Sequence, residues 1–262
     1  MNYPKHLEEK IREEIATTYV KHEIRKLFWQ LPENYFPLID NNIDCWMQSP
    51  ELAIPRDFWN GIHGIAMGFK LKIGFIYLIT AENVKWERKM VSIDDLIFGV
   101  SFEKTTTDVG EGKLRAREVF DYYQKNKEAK EERKLFIKEL RTRTCDRDGD
   151  PIMVTNGSVN DGNGRLADAI VNDKTEILAY VGTFTTEEKV PKNYWLPTSV
   201  IIDHLFFVYE AIRNNNEKMF DQQIEVLKYM LKDSESGMEE FKERAVISRQ
   251  PDRDKIFKAI GV

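Results

Sequence analysis

The positions Leu7, Ile11, Ile15, Thr18, Val20, Ile24, Leu27 and Phe28 recur at three- and four-residue steps, which predicts a helix over Tyr3–Trp29. Glu8, Glu9, Glu13 and Glu14 crowd its first half, while Lys21, Arg25 and Lys26 follow in the second, an order that suits the helix dipole. Pro32 closes it, and residues 31–57, with Pro32, Pro37, Pro50 and Pro55, read as an ordered loop with short helical turns. Around Gly64 and Gly68 the pattern fits a short helix with close backbone packing, whereas Lys72–Thr80, rich in β-branched and aromatic residues, reads as a buried strand. A strand is predicted at Lys89–Ile93, followed by a turn or short helix through Asp94–Phe98 and a polar loop near Thr105–Gly112. Residues 113–147 contain no glycine or proline and read as helix.

The next forty residues predict strand, turn, helix and strand in close succession. Pro151–Thr155 reads as a strand and Val159 starts a second; 161–165 is a glycine-punctuated turn, Leu166–Val171 a helix and Thr175–Val181 a strand. Two helices follow at Ser199–Ile212 and around Phe220–Leu231, joined at Asn214–Asn216, and the tail reads as a helix pair about Pro251. The expected fold class is α+β. It comprises an N-terminal extension over 1–87, a mixed core over 88–185 with a helical insert at 113–147, and a C-terminal helical region over 186–262.

Composition adds exclusions. The chain has 262 residues, long enough to bury its own core without a disulfide or metal staple. Its two cysteines, Cys45 and Cys145, lack the spacing of a zinc ribbon. The apolar stretch Ile62–Ile79 is interrupted by Lys70 and Lys72, which argues against a membrane span, and MNYPKHLEEK has no apolar leader segment. The expectation is a soluble, cytoplasmic protein. The net charge of −5 argues against broad nucleic-acid binding, yet residues 113–147 hold twelve Lys/Arg against seven Asp/Glu. That excess reads either as a solvated helical face or as a surface meeting phosphates.

Candidate chemistry centres on Asn160-Asp161-Gly162-Asn163-Gly164-Arg165, a turn at a predicted helix N-terminus. Glycines let backbone N–H groups approach an anion, and the helix dipole favours negative charge there. Arg165 would add a planar fork of donors for phosphate oxygens. Asp161 would orient Arg165, hold Mg²⁺ or cap the helix. The competing reading is a tight turn with Asp161 as a cap and Arg165 on the surface.

A PIMV strand, DGNGRLADAI and a strand ending in Tyr180-Val181 together resemble the core of the ParB/sulfiredoxin superfamily. Met90-Val91-Ser92-Ile93-Asp94-Asp95-Leu96 is similar to that superfamily's opening strand and the ID-x-L that follows it. The resemblance spans roughly residues 88–185. It implies a ParB/sulfiredoxin-like mixed α/β core in which the 160–165 turn grips nucleotide phosphates. Asn163 stands where sulfiredoxin has its cysteine, which removes that reaction. The partition branch carries two arginines where this chain keeps one, and no helix-turn-helix is evident after residue 185. The free-serine kinase branch has D-G-H-H-R; Asp161, Gly162 and Arg165 match, while Asn163 and Gly164 replace its histidines. Glu103 falls near the spacing of that branch's catalytic glutamate, so the resemblance implies a base acting on an attacking hydroxyl. DGNGR also occurs in Fic-type AMP transferases, but Gly157 stands where their histidine belongs and strands flank this turn.

These readings give an expected function: an NTP-dependent phosphotransferase or NTP hydrolase using ATP or another NTP with Mg²⁺. It would act on a small hydroxyl compound or a modified nucleotide in DNA, with Glu103 and Asp161 as catalytic candidates. The alternative is a non-catalytic or nuclease-like DNA-associated module gated by nucleotide. Of the four histidines, His6 and His22 are expected on an exposed charged face, and His204 at a satisfied boundary.

Overall fold

The computed structural model describes residues 4–48, 58–69, 71–99, 114–144, 149–195, 198–232, 241–242 and 250–261. Four strands form one mixed sheet: β1 (Val84–Ser92), β2 (Ile152–Thr155), β3 (Ser158–Asp161) and β4 (Glu176–Phe184), in the order β1-β4-β2-β3. β1 pairs antiparallel with β4 from Val84↔Phe184 to Ser92↔Glu176, and β2 runs parallel to β4 with Ile152 opposite Ala179. β2 and β3 close a tight hairpin through Asn156 and Gly157, both at positive φ (51° and 75°). An Asn-Gly pair tolerates that left-handed backbone, whose twist matches the flanking strands. The class is therefore α+β, as the sequence predicts.

Strand parity divides the core in two. Ile152, Val154 and Ala179 point to one face, where they meet Ile93, Leu96, Phe98, Leu114, Val119, Leu166 and Ile170. The helices on this face are α5 (Ala116–Lys125), α6 (Lys127–Thr144) and α7 (Asn163–Val171). Val84, Trp86, Met153, Tyr180 and Phe184 point to the other. That second face is covered by α1 (Lys10–Leu27), α3 (Phe58–Gly68) and α4 (Ile73–Thr80), together with residues of α8 (Thr198–Arg213), α9 (Glu217–Lys232) and α10 (Gln250–Ile260). Both flanks of the chain thus share one hydrophobic cluster on the sheet.

One buried arginine keys this second face. Arg12 is 2% exposed and donates to the carbonyls of Ile79 (2.5 Å), Ala81 (3.1 Å) and Val84 (2.6 Å), while Glu9 pairs with its Nε. It thereby satisfies carbonyls at the C-terminus of α4 and at the start of β1, groups that a helix end leaves without partners. Burial lowers its pKa, and Glu9 opposes that shift.

Three expectations are corrected. Ile73–Thr80 is a helix and not a strand. Ile76, Leu78, Ile79 and Thr80 are buried and Phe75 and Tyr77 packed, so apolar groups surround the element on most sides and no helical period survives in the sequence. Within the expected 31–57 loop, Phe36–Gln48 forms a helix, α2. Pro37 lies in its first turn, where the missing N–H has no helical acceptor to lose. The expected 113–147 helix is two elements, with Asn126 as the C-cap of α5. Among the described residues no helix is long and apolar enough to cross a membrane.

Candidate functional site

The 160–165 turn joins β3 to α7, and its six residues divide into those that build it and those that face a cavity. Gly162 precedes α7 at φ +95°, and a Cβ there would lie 2.5 Å from Ile152 Cγ2. Glycine is thus required for both backbone sign and space. Asn160 Nδ2 donates to Thr155 Oγ1 (2.7 Å), tying the hairpin. Asn163 Oδ1 accepts from the Gly99 N–H (2.8 Å), which fastens the segment following β1 to the start of α7. The same segment runs beside the hairpin, with Ile97 donating to Gly157 and accepting from Val159. Gly164 is half-buried as the second residue of α7.

Asp161 and Arg165 turn to the α1 side. Arg165 Nη2 donates to Asp161 Oδ2 (2.8 Å) and Nη1 to the Pro151 carbonyl (2.5 Å), so the guanidinium bridges the turn and the entry to β2. Its side chain is 9% exposed, which corrects the reading that placed Arg165 on the surface. The Asp161–Arg165 pair is formed, and the N-cap position of α7 is Gly162, one residue after Asp161.

Across from the turn stands α1. A cavity of about 230 Å³ lies between them, lined by Thr18, Lys21, His22 and Arg25 from α1 and by Asp150, Asp161, Arg165 and Tyr180 from the sheet side. Tyr180 donates to Glu14 (2.7 Å) and lies 3.4 Å from Thr18 Oγ1. Burial pushes the Tyr180 phenol up to about 12, with the Glu14 carboxylate adding to the rise. Lys21 pairs with Asp44 (2.6 Å) and Arg25 with Asp40, so α2 anchors the cationic side of α1.

His22 is 4% exposed, and its Nδ1 lies 3.8 Å from Asp161 Oδ2. The expectation of an exposed His22 is therefore wrong. His6 is also half-buried, donating to the Thr80 carbonyl at 2.9 Å. Arg12, Ile15, Tyr19 and His22 follow one another at steps of three and four, so the helical period itself carries His22 onto the buried stripe. Its charged neighbours in sequence masked that signal. His204 matches its expected boundary role, donating to the Gln223 carbonyl at 3.2 Å.

Glu103 lies outside the described residues. The basic 113–147 segment spends much of its described charge internally. Arg117 pairs with Asp94 and Asp121, Lys130 with Asp173, and Lys134 with Glu131, while Arg133 covers the Phe136 ring. The pairing supports the solvated-face reading of that segment. Comparison with protein-family models, curated proteins and solved structures found no match.

Proposed function

We propose that the chain binds a nucleoside triphosphate at the cavity between α1 and the 160–165 turn, as an NTP-dependent phosphotransferase or NTP hydrolase on a ParB/sulfiredoxin-like core. The observation that carries this reading is the cavity itself. It gathers Lys21, His22, Arg25 and Arg165 from two separate elements beside the N-terminus of α7. Lysine and arginine side chains lining one small polar space, which Asp150 and Asp161 also line, supply donors of the kind a phosphate requires. At about 230 Å³ the space is below the usual range for enclosing a whole drug-sized ligand, so it suits the phosphate end of a nucleotide with the base outside. The order β1, helix, β2–β3 hairpin, α7, β4 also agrees with the resemblance.

In this reading Lys21 and Arg25, which pair with Asp44 and Asp40 in the structure, turn to phosphate oxygens when the nucleotide binds, and Arg165 keeps Asp161 aimed into the cavity. Asp161 is the carboxylate that would hold the nucleotide's Mg²⁺, an ion whose contribution is to neutralise phosphate charge. Glu103 would take the proton of the attacking hydroxyl of a small acceptor. The test is a thermal-shift series with ATP, ADP, CTP and GTP, each with Mg²⁺. A nucleotide at a hundred times its Kd stabilises by about 2.7 kcal/mol. Lys21→Ala should weaken the shift, and Glu103→Gln should keep binding and lose turnover. No shift from any of the four nucleotides overturns the reading, and unchanged turnover in Glu103→Gln removes that residue's role as base.

A further inference from the structure

We infer that His22, Glu23 and Asp161 form a divalent transition-metal site, of the Zn²⁺ or Mn²⁺ class, joining α1 to the 160–165 turn. One imidazole nitrogen and one oxygen from each carboxylate lie within 4.8 Å of one another. Bonds of about 2.1 Å place donors about 3–4 Å apart around an ion. The 3.8 Å between His22 Nδ1 and Asp161 Oδ2 already falls in that range. Glu23, with a side chain 20% exposed, has the freedom to close the third position. A mixed set of imidazole and carboxylate with no thiolate suits Zn²⁺ and Mn²⁺, whereas Mg²⁺ prefers oxygen alone.

Two further features fit an ion at this point. A cation is already seated here: Lys26 Nζ pairs with Glu23 and lies 4.0 Å from Asp161 Oδ1. Its side chain is 29% exposed and long enough to swing into solvent when a doubly charged ion replaces it. In addition, the Asp161 oxygen nearest His22, Oδ2, accepts from Arg165 Nη2, and Arg165 is itself fixed on the Pro151 carbonyl. A ligating carboxylate held by an outer hydrogen bond is the usual support of a metal site. His22 and Asp161 both line the cavity, so coordination positions left by three protein donors would open into it. The inference needs no nucleotide, and it adds to Asp161 two donors from α1, one of them a nitrogen, which favour an ion of different preference from Mg²⁺.

The test uses the full-length protein stripped with a chelator and titrated calorimetrically with ZnCl₂ or MnCl₂, without nucleotide. One saturable ion per chain is expected, with a rise in melting temperature. Electron spin-echo modulation of the Mn²⁺ form should show a directly bound nitrogen. His22→Gln should remove that nitrogen signal and weaken binding at least about tenfold. Glu23→Gln, at a more exposed position, should weaken binding with the fold retained. Lys26→Gln should tighten it, because the competing ammonium is gone. Absence of saturable binding, or equal affinity in wild type, Glu23→Gln and His22→Gln, overturns the site. Failure of every nucleotide to bind would leave this result standing, so the two readings fail separately.

Discussion

The two faces of the sheet differ in where their residues come from. The α5–α7 face is drawn from one stretch of chain, Val91 to Val181. The opposite face gathers Leu7, Trp59, Ile79, Tyr180, Leu205 and Ile260, residues from both ends of the sequence. The first is a local unit of strand, helix and hairpin. The second buries polar groups within its packing, Arg12, His22, Arg25 and His63 among them. The cavity lies on the second face. The cavity and the long-range assembly thus coincide, and the local face serves as the platform that fixes Asp161 and Arg165.

The largest effect should come from the residue that keys the distant elements together. Arg12→Met leaves three carbonyls without their charged donor and should lower stability by about 4 kcal/mol in urea unfolding. A loss below about 1 kcal/mol would mean that α1 is held by apolar packing alone. Ile62→Ala on the long-range face and Ile170→Ala on the local face should each cost about 3 kcal/mol. Both should shift one common transition, because the strands are shared; separate transitions would show that the faces unfold independently. Gly162→Ala meets both the positive φ and the Ile152 side chain, and should cost about 2 kcal/mol while displacing Asp161.

A pH measurement sharpens the contrast further. His63 is 1% exposed, its ring packs edge-on to Trp195, and its Nδ1–H donates to the Trp59 carbonyl (2.9 Å). Burial lowers its pKa from 6.5 to about 4. Between those values the unfolded chain binds a proton that the folded chain refuses, so stability falls as pH drops below the unfolded pKa. From pH 7 to 5 the loss attributable to His63 should be about 1–2 kcal/mol, and His63→Gln should flatten that slope. The smallest effect belongs to the local face. Asp173, at the end of α7, accepts from Lys130 and Gln124, and those bonds lower its carboxyl pKa. This contribution is present at neutral pH and is lost as pH falls through the depressed value. Because Asp173 is exposed, Asp173→Asn should change stability by less than about 1 kcal/mol.

The local face was largely legible in the sequence. Pro151–Thr155, the turn, Leu166–Val171 and Thr175–Val181 announce β2, α7 and β4 within a residue or three, because each carries its own period and punctuation. The long-range face was not. α4 is apolar nearly all round, so its alternation-free sequence imitates a strand. Pro37 suggested a loop because a proline in a helix's first turn cannot be told from a helix breaker without knowing where the helix starts. At the site, Asp161 and Arg165 were visible as a pair four residues apart. His22, Lys21 and Arg25 were passed over because their partners lie far along the chain, and nothing near them in sequence records that they face Asp161.

The Tyr180 hydroxyl donates to Glu14 across 166 positions. A ribosome adding about 5–20 residues per second takes roughly 10–30 s to cover that distance. During this interval Arg12 can already reach the carbonyls of Ile79, Ala81 and Val84, but the part of α1 that faces Tyr180 has no β4 to meet. The α1 wall of the cavity therefore lacks its full set of facing residues, Asp150, Asp161, Arg165 and Tyr180, until β4 is made. The pocket is completed only when translation has passed its last strand.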